Sequence, residues 1–367
     1  MCHFGTTKEG GMLLKLSTAI VSLLLSSQLF AADYIVKLNP GSAVPMSELS
    51  GVKVLDQHTE GNLIKVSLDD AQEMKLVNRI QDTAGVKYIV KDFKLQAYRA
   101  PMSTQALREQ WAIAKVNAEK AWKLAGNKGQ RKITVAIIDT GVDYEHESLR
   151  PNMVQGYDFL DNDNKPMDET SSQNPGHGTH CAGIVGATGL VDGGIIGISP
   201  EVSIMPLRFL GPQGQGDLMA GIKAIDYAIK NGAQVISASW GATVSRSQAS
   251  PLIEAIERAD KAGVIFVAAA ANDGRSNDRT DVFPANANTP NMISVAASGA
   301  SDAKPSWSNY GKYSVDLAAP GENILSTLPK HKYDNLSGTS MATPLVSGLV
   351  ALILAQDDSL TGAEVRS

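Results

Sequence analysis

Five short, nearly uninterrupted apolar runs constrain this chain more than any other feature. They are KITVAIID (132–139), VSIMPLRFL (202–210), AQVISASW (233–240), VIFVAAA (264–270) and NMISVAA (291–297). A strand with one wet face alternates polar and apolar residues; these runs are apolar at both parities, so both faces must be covered. Helix-like segments such as Asp217 to Asn231 and Ser250 to Gly263 lie between them. Strand–helix–strand repetition predicts an α/β fold, a mostly parallel sheet with helices on both faces, whose sites gather beyond the carboxyl ends of the strands. The 33 glycines and 5% aromatic content suit the tight turns and close helix–sheet approaches of such a fold.

The chain has 367 residues, more than the roughly 100–200 of one ordinary domain, and reads as three segments. Residues 1–31 resemble an export signal: Met12 to Lys15 give a basic start, Leu16 to Phe30 an apolar stretch, and cleavage is expected after Ala31. That stretch is closer to the roughly 7–15 residues of a signal core than to the roughly 20 of a membrane span. A secreted protein, extracellular or periplasmic and without a stable membrane span, is therefore expected; a retained N-terminal anchor is the alternative. Residues 1–11 are polar and Gly-rich, unlike a signal start, which makes Met12 a candidate initiator. Residues 32–98 read as a small α+β domain, with β-rich runs at 34–38, 62–68 and 86–90 and a charged amphipathic stretch from Asp69 to Ile80. Arg99 to Gln105 has the composition of an exposed link, and residues 99–367 form the large domain. A net charge of -5 argues against a nucleic-acid partner. The two cysteines, Cys2 and Cys181, cannot make a disulfide scaffold. Thr361 to Glu364 is a capping box with only three residues after it, so a C-terminus truncated relative to a full domain is expected.

Four short motifs carry chemistry. Asp139 ends the first apolar run, where a poorly solvated carboxylate needs a partner; the bland reading, a turn-capping Asp, fits Asp143 better. His177 sits in NPGHGTHCAG, flanked by glycines that leave its ring open to approach; a metal pair with His180 lacks a third ligand motif. Ser340, in LSGTSMATP, opens an apolar helix whose N–H groups would stabilise an oxyanion beside it, while Ser337 is the alternative helix cap. Asn272 ends the run VIFVAAAA, where its amide could donate to a developing negative oxygen or could simply turn the chain at Asn-Asp-Gly.

Together, D-T-G, H-G-T-H-C-A-G, A-A-N and G-T-S-M-A-T-P in that order resemble the subtilisin-like serine proteases, and among them the thermitase-like enzymes, across about residues 105–360. The resemblance implies a secreted serine endopeptidase hydrolysing peptide bonds through an acyl-enzyme. Ser340 would be the nucleophile, His177 the general base and then acid, and Asp139 the group that holds the imidazole. Asn272 and the Ser340 N–H would form the oxyanion hole, with His180 and Asp143 in support. Gly214, Gln215 and Gly216, with Ser239, Trp240 and Gly241, sit where the family clamps an extended peptide between two strands. Phe283-Pro284 matches a pair that is usually cis, beside the primary pocket. Three positions depart from the family: Ala271 replaces a Gly, Leu345 replaces a His, and Val282 stands where a Gly can deepen the pocket.

The resemblance extends to residues 32–98 as an inhibitory propeptide and folding aid, autoprocessed after Tyr98 with Arg99 as the new N-terminus. Val282 argues mildly for a cut one or two residues later. The loop with Asp158, Asp161 and Asp163 is similar to the thermitase-like calcium loop, so structural Ca²⁺ is expected there, with a solvated acidic turn as the alternative. A second family calcium site is not expected, since Ser148 stands where the family has an Asp and the later loop offers one carboxylate, Asp192. Cys181 reads as a small buried residue and not a nucleophile. A monomer acting on proteins or peptides is implied. The rival class is a catalytically inactive peptide-binding homologue; a relative with a glutamate base is disfavoured by His177.

Overall fold

The computed structural model describes residues 32–44, 52–68, 72–98 and 110–367; the signal segment, Arg99 and the link after it lie outside them. The small domain is an antiparallel sheet in the order β2-β3-β1-β4. Its strands are β1 (Ala32–Leu38), β2 (Val52–His58), β3 (Leu63–Leu68) and β4 (Val86–Lys91). Strand β2 has no sequence counterpart in the runs above, because it is an edge strand with Val54 and Leu55 turned to solvent. Helix α1 (Glu73–Gln81) buries Leu76 and Ile80, four residues apart on one helical face, against Val36, Val66 and Leu68 of the sheet. The last strand of this segment, β5 (Lys94–Ala97), leaves the domain altogether.

Helices α2 (Trp111–Lys115) and α3 (Ala118–Ala125) lead into the large domain. All of its five predicted runs become strands of one seven-stranded sheet: β6 (Thr134–Asp139), β8 (Ser203–Arg208), β10 (Val235–Ala238), β12 (Ile265–Ala269) and β14 (Met292–Ser298). With β7 (Tyr157–Asp158) and β15 (Leu317–Pro320) at its edges, the order is β15-β14-β12-β10-β6-β8-β7, and every pairing is parallel.

Successive side chains of a strand point to opposite faces, and here each face has its own helices. Ala136, Ile138, Ile236 and Phe266 pack toward α5 (Leu218–Lys230) and α6 (Ser250–Lys261). Val135, Ile137, Val235 and Val267 pack toward α4 (His177–Gly186) and α7 (Thr339–Leu354). That is the α/β architecture the runs predict. From β6 the chain places β8 on one side and β10, β12, β14 and β15 on the other, so the order reverses at β6. Ligands of open α/β sheets bind at such a reversal, beyond the carboxyl ends, and Asp139 is the last residue of β6.

Two smaller sheets border that end. Strands β16 (Ile324–Leu328) and β17 (Lys332–Leu336) form a hairpin running into α7. Strands β9 (Gln215–Asp217), β11 (Trp240–Thr243) and β13 (Val282–Phe283) make a sheet with β5 in the order β13-β11-β5-β9. The capping box at Thr361 and Glu364 forms and opens a short helix, α8 (Gly362–Arg366).

Candidate active site

Asp139, His177 and Ser340 come from three elements separated by 38 and 163 residues. Asp139 and His177 are joined directly beyond the carboxyl end of β6, while the Ser340 hydroxyl bonds the Tyr98 and Ser239 carbonyls and not His177. His177 Nδ1 lies 2.7 Å from Asp139 Oδ1, and both side chains are 1% exposed. A carboxylate bonded to Nδ1–H fixes the tautomer that leaves Nε2 as an acceptor. Nε2 has no hydrogen-bond partner among the described residues.

The first turn of α4 is held by a residue that the sequence did not single out. Asp168 is buried, and its carboxylate accepts from Thr140 Oγ1 (2.9 Å), Thr179 N (2.9 Å), Thr179 Oγ1 (2.7 Å) and Asn174 Nδ2 (3.0 Å). Asn174 Oδ1 in turn accepts from the His177 N–H at 2.8 Å and the Gly176 N–H at 3.0 Å. One carboxylate therefore ties the residue after Asp139 to the helix that starts at His177. Burial pushes the Asp168 carboxyl up to about 6, against the pull of its donors. Asp143 and His180 have backbone roles: Asp143 accepts from Lys330 N (2.9 Å) and Glu145 N (3.2 Å), and His180 Nε2 contacts the Asp334 carbonyl at 3.1 Å.

Ser340 is the second residue of α7, and Pro344 lies four residues further on. A proline has no N–H to donate to the carbonyl four residues back. The Ser340 carbonyl accepts instead from Ser239 Oγ at 2.9 Å and Cys181 Sγ at 3.4 Å. Burial, then the Asp139 charge, push the Cys181 thiol well above its ordinary pKa, so it is an inert packing group.

The Ser340 hydroxyl contacts the Tyr98 carbonyl, and lies 2.9 Å from the Ser239 carbonyl. Asn272 Oδ1 is held by the N–H and hydroxyl of Thr339, both at 2.9 Å, which leaves the amide Nδ2 buried without a hydrogen-bond partner among the described residues. Three of these groups surround one point: a Cβ added at Gly338 would lie 2.9 Å from the Tyr98 oxygen, 3.2 Å from Asn272 Nδ2 and 3.5 Å from the Ser340 nitrogen. Thr339, the orienter of that amide, is hidden in the sequence because a Thr in the first turn of a helix reads as a cap. Ala271, just before Asn272, has φ +86°, a region in which an L side chain is strained and a glycine is not.

Strand β5 fills the cleft between β9 and β11. Leu95 is registered with Gly216 and Gln96 with Gln215 on one side; Gln96 with Gly241 and Ala97 with Trp240 on the other. The ladder ends with Ala97 N donating to the Gly214 carbonyl (2.9 Å) and Tyr98 N to the Ser239 carbonyl (3.1 Å). Val282 does not keep the tyrosine out of its pocket, as its size had suggested. The Tyr98 side chain is buried, and the room is made by Gly241, where a Cβ would lie 2.5 Å from the Tyr98 hydroxyl oxygen. The Phe283-Pro284 peptide is cis.

The acidic loop receives a positive charge from another strand. Arg208, at the end of β8, places its guanidinium 2.7 Å from Asp158, 2.9 Å from Asp161 and 2.9 Å from Glu169. The second Asp158 oxygen accepts from the backbone N–H of Leu160 (2.8 Å) and Asp161 (3.1 Å), while Asp163 Oδ1 accepts from Lys165 N at 2.8 Å. Both Asp158 oxygens are thus engaged, and a calcium ion does not fit the loop in this arrangement. The sequence reading missed the guanidinium because Arg208 is 45 residues from Asp163 and arrives only through the β7–β8 pairing.

Comparison with known proteins agrees with this geometry. Residues 130–367 match the subtilase family. The chain is 41% identical over 250 residues to thermitase from Thermoactinomyces vulgaris, covering 68% of this chain and 84% of that one. It is 40% identical over 247 residues to the major intracellular serine protease of Bacillus subtilis, covering 67% and 75%. Subtilisin amylosacchariticus from Bacillus subtilis subsp. amylosacchariticus is 33% identical over 317 residues, 86% of this chain and 76% of that one. Among solved structures, a cold adapted subtilisin-like serine proteinase superposes with a TM-score of 0.57 at 34% identity, covering 64% of this chain and 80% of that one.

Proposed function

The chain belongs to the subtilase family and is a serine endopeptidase; from that premise we propose that it is a secreted zymogen whose residues 32–98 inhibit it until the chain cuts itself after Tyr98. In this reading His177, oriented by Asp139, takes the Ser340 proton as Oγ attacks the scissile carbonyl. The tetrahedral oxyanion is held by Asn272 Nδ2 and the Ser340 N–H. Collapse gives an acyl-enzyme and releases the amine, which receives the proton from His177; water then repeats the steps in reverse order.

The observation that carries the proposal is the Tyr98 carbonyl on the Ser340 hydroxyl, with Asn272 Nδ2 and Ser340 N beside the same point. The chain before that carbonyl is already paired as a strand on both sides, the binding mode proposed for substrates. The burial of the Tyr98 ring favours cleavage after Tyr98 over the later alternatives. For location, support comes from the signal-like N-terminal sequence; no helix among the described residues is long and apolar enough to cross a membrane.

Ser340→Ala tests the reading. The variant should accumulate as a precursor that retains residues 32–98 and takes no fluorophosphonate label, while the parent yields a labelled mature chain beginning at Arg99. A parent that folds but takes no label would favour the inactive peptide-binding alternative. Trimming of the variant at the same bond in a protease-free preparation would remove autoprocessing.

A further inference from the structure

Away from the catalytic cleft, the tip of the β16–β17 hairpin meets the loop that follows β6. His331 contacts Glu147 through Nδ1 and Oε2, and the ring of His146 lies 5.5 Å from that of His331. The donor atoms of these three side chains all lie within 4.8 Å of one another. The tip holds His331 there at a conformational cost: Lys330 and His331 have φ of +67° and +57°. Consecutive left-handed residues in a hairpin are ordinarily Asn and Gly, and a side chain such as Lys or His is disfavoured there.

The surroundings are those of a ligand shell. Tyr333 Oη donates to Glu147 Oε1 at 3.1 Å, leaving Oε2 toward His331. His146 is fully buried, whereas the side chains of His331 and Glu147 are 56% and 37% exposed, so one side of the cluster is rigid and the other open to an arriving ion. At His146, ligation has to displace weak bonds only, since Nδ1 accepts from Ser148 N at 3.2 Å and Nε2 lies 3.3 Å from the Lys332 carbonyl, while at the open side the ion would part the His331–Glu147 contact. Calcium and magnesium select oxygen ligands, but two imidazoles and one carboxylate suit a borderline divalent ion with water in the fourth position.

We propose that His146, Glu147 and His331 form a zinc-class divalent metal site that fastens the β16–β17 hairpin to the loop after Asp139. The fastening reaches the catalytic wall. Lys330 N donates to Asp143 at 2.9 Å, and Pro329 packs so closely on Gly176, the residue before His177, that a Cβ there would lie 2.0 Å from it. Metal binding to the folded state alone raises its stability by mass action.

The test uses the full chain carrying Ser340→Ala, to prevent autolysis, titrated with Zn²⁺ alone. At about 100 times the dissociation constant, Zn²⁺ should raise the melting temperature by about 5 °C. Adding His331→Ala, which alters an exposed side chain, should abolish the shift; Glu147→Gln should weaken binding about tenfold or more. Co²⁺ in place of Zn²⁺ should show no thiolate charge-transfer band, which distinguishes this cluster from the buried Asp139–His177–Cys181 group. An equal Zn²⁺ shift in the parent and His331→Ala chains, no shift in either, or a thiolate band would each overturn the proposal.

Discussion

The large domain covers both faces of its sheet with its own helices, whereas the small domain covers only one. Helix α1 packs on Val36, Val66 and Leu68, but Ile35 and Leu63 on the other face belong to the core built by α5 and α6. The two regions are also joined by charge. Lys37 and Lys87 reach Glu254 at 2.5 and 2.8 Å, Lys65 reaches Asp217 at 3.0 Å, and His58 lies 2.6 Å from Asp226. A segment of about 65 residues with half its sheet covered by another domain has little independent core. The comparison teaches that the small domain borrows its stability from the surface it covers, so losing the contact and losing the fold are coupled.

Matched core truncations offer the largest test. Ile80→Ala in α1 and Ile256→Ala in α6 remove the same atoms from fully buried sites, at about 2–5 kcal/mol each. In the small domain that loss approaches the whole local stability. Ile80→Ala should therefore abolish hydrogen-exchange protection across β1–β4, while Ile256→Ala lowers the melting temperature of a chain that stays protected. Equal, global effects of the two substitutions would mean that the regions unfold as one unit.

Asp168→Asn should have a smaller effect, confined to the large domain. It places an amide NH₂ among donors and leaves at least one buried N–H or O–H unpaired, for about 1–3 kcal/mol. Turnover should fall because the first turn of α4 loosens, while inhibition by an added 32–98 segment stays within about twofold. A parallel loss of inhibition would show that the Asp168 network also supports the cleft that holds β5.

The ionic contacts should be the weakest. Exposed and half-buried pairs are worth about 0.2–1 kcal/mol each, so Glu254→Gln should weaken inhibition by the separate 32–98 segment about two- to tenfold, with reduced salt dependence. Burial pushes Glu254 up, but Lys37 and Lys87 outweigh it and hold the carboxyl below its usual 4.5. Asp226, beside His58 and Arg258, and Asp217, beside Lys65, are likewise held below 3.8 against burial. Carboxylates held down in the docked state contribute above their free values and lose that contribution as pH falls through the depressed ones. The inhibition constant should therefore rise below about pH 4.5, and less steeply in Glu254→Gln.

What was legible in the sequence was whatever local pattern determines. The five buried runs carry their own signature, as do α5 and α6, whose ends fall within two residues of the expected Asp217 to Asn231 and Ser250 to Gly263 segments. Strand β2 was missed because it is exposed and its burial does not alternate. At the site, Asp139 and His177 meet as their motifs suggested. Asp168, Arg208 and Thr339 were not legible, since each acts through partners supplied by tertiary folding. The acidic loop shows the cost of reading charge locally: its ligand spacing suggested an ion, and the counter-charge was an arginine on another strand.

The slot that β5 occupies lies between two strand edges that face each other. Emptied, such a slot is satisfied by amides and carbonyls, which every polypeptide has, more than by particular side chains. What it demands is that several consecutive residues be fully extended and unpaired, a condition that native helices and sheet interiors do not meet. A protease built this way senses conformation before it senses sequence: it would cut linkers, frayed termini and misfolded chains first, and the rate at which a folded substrate disappears would report how often that substrate opens.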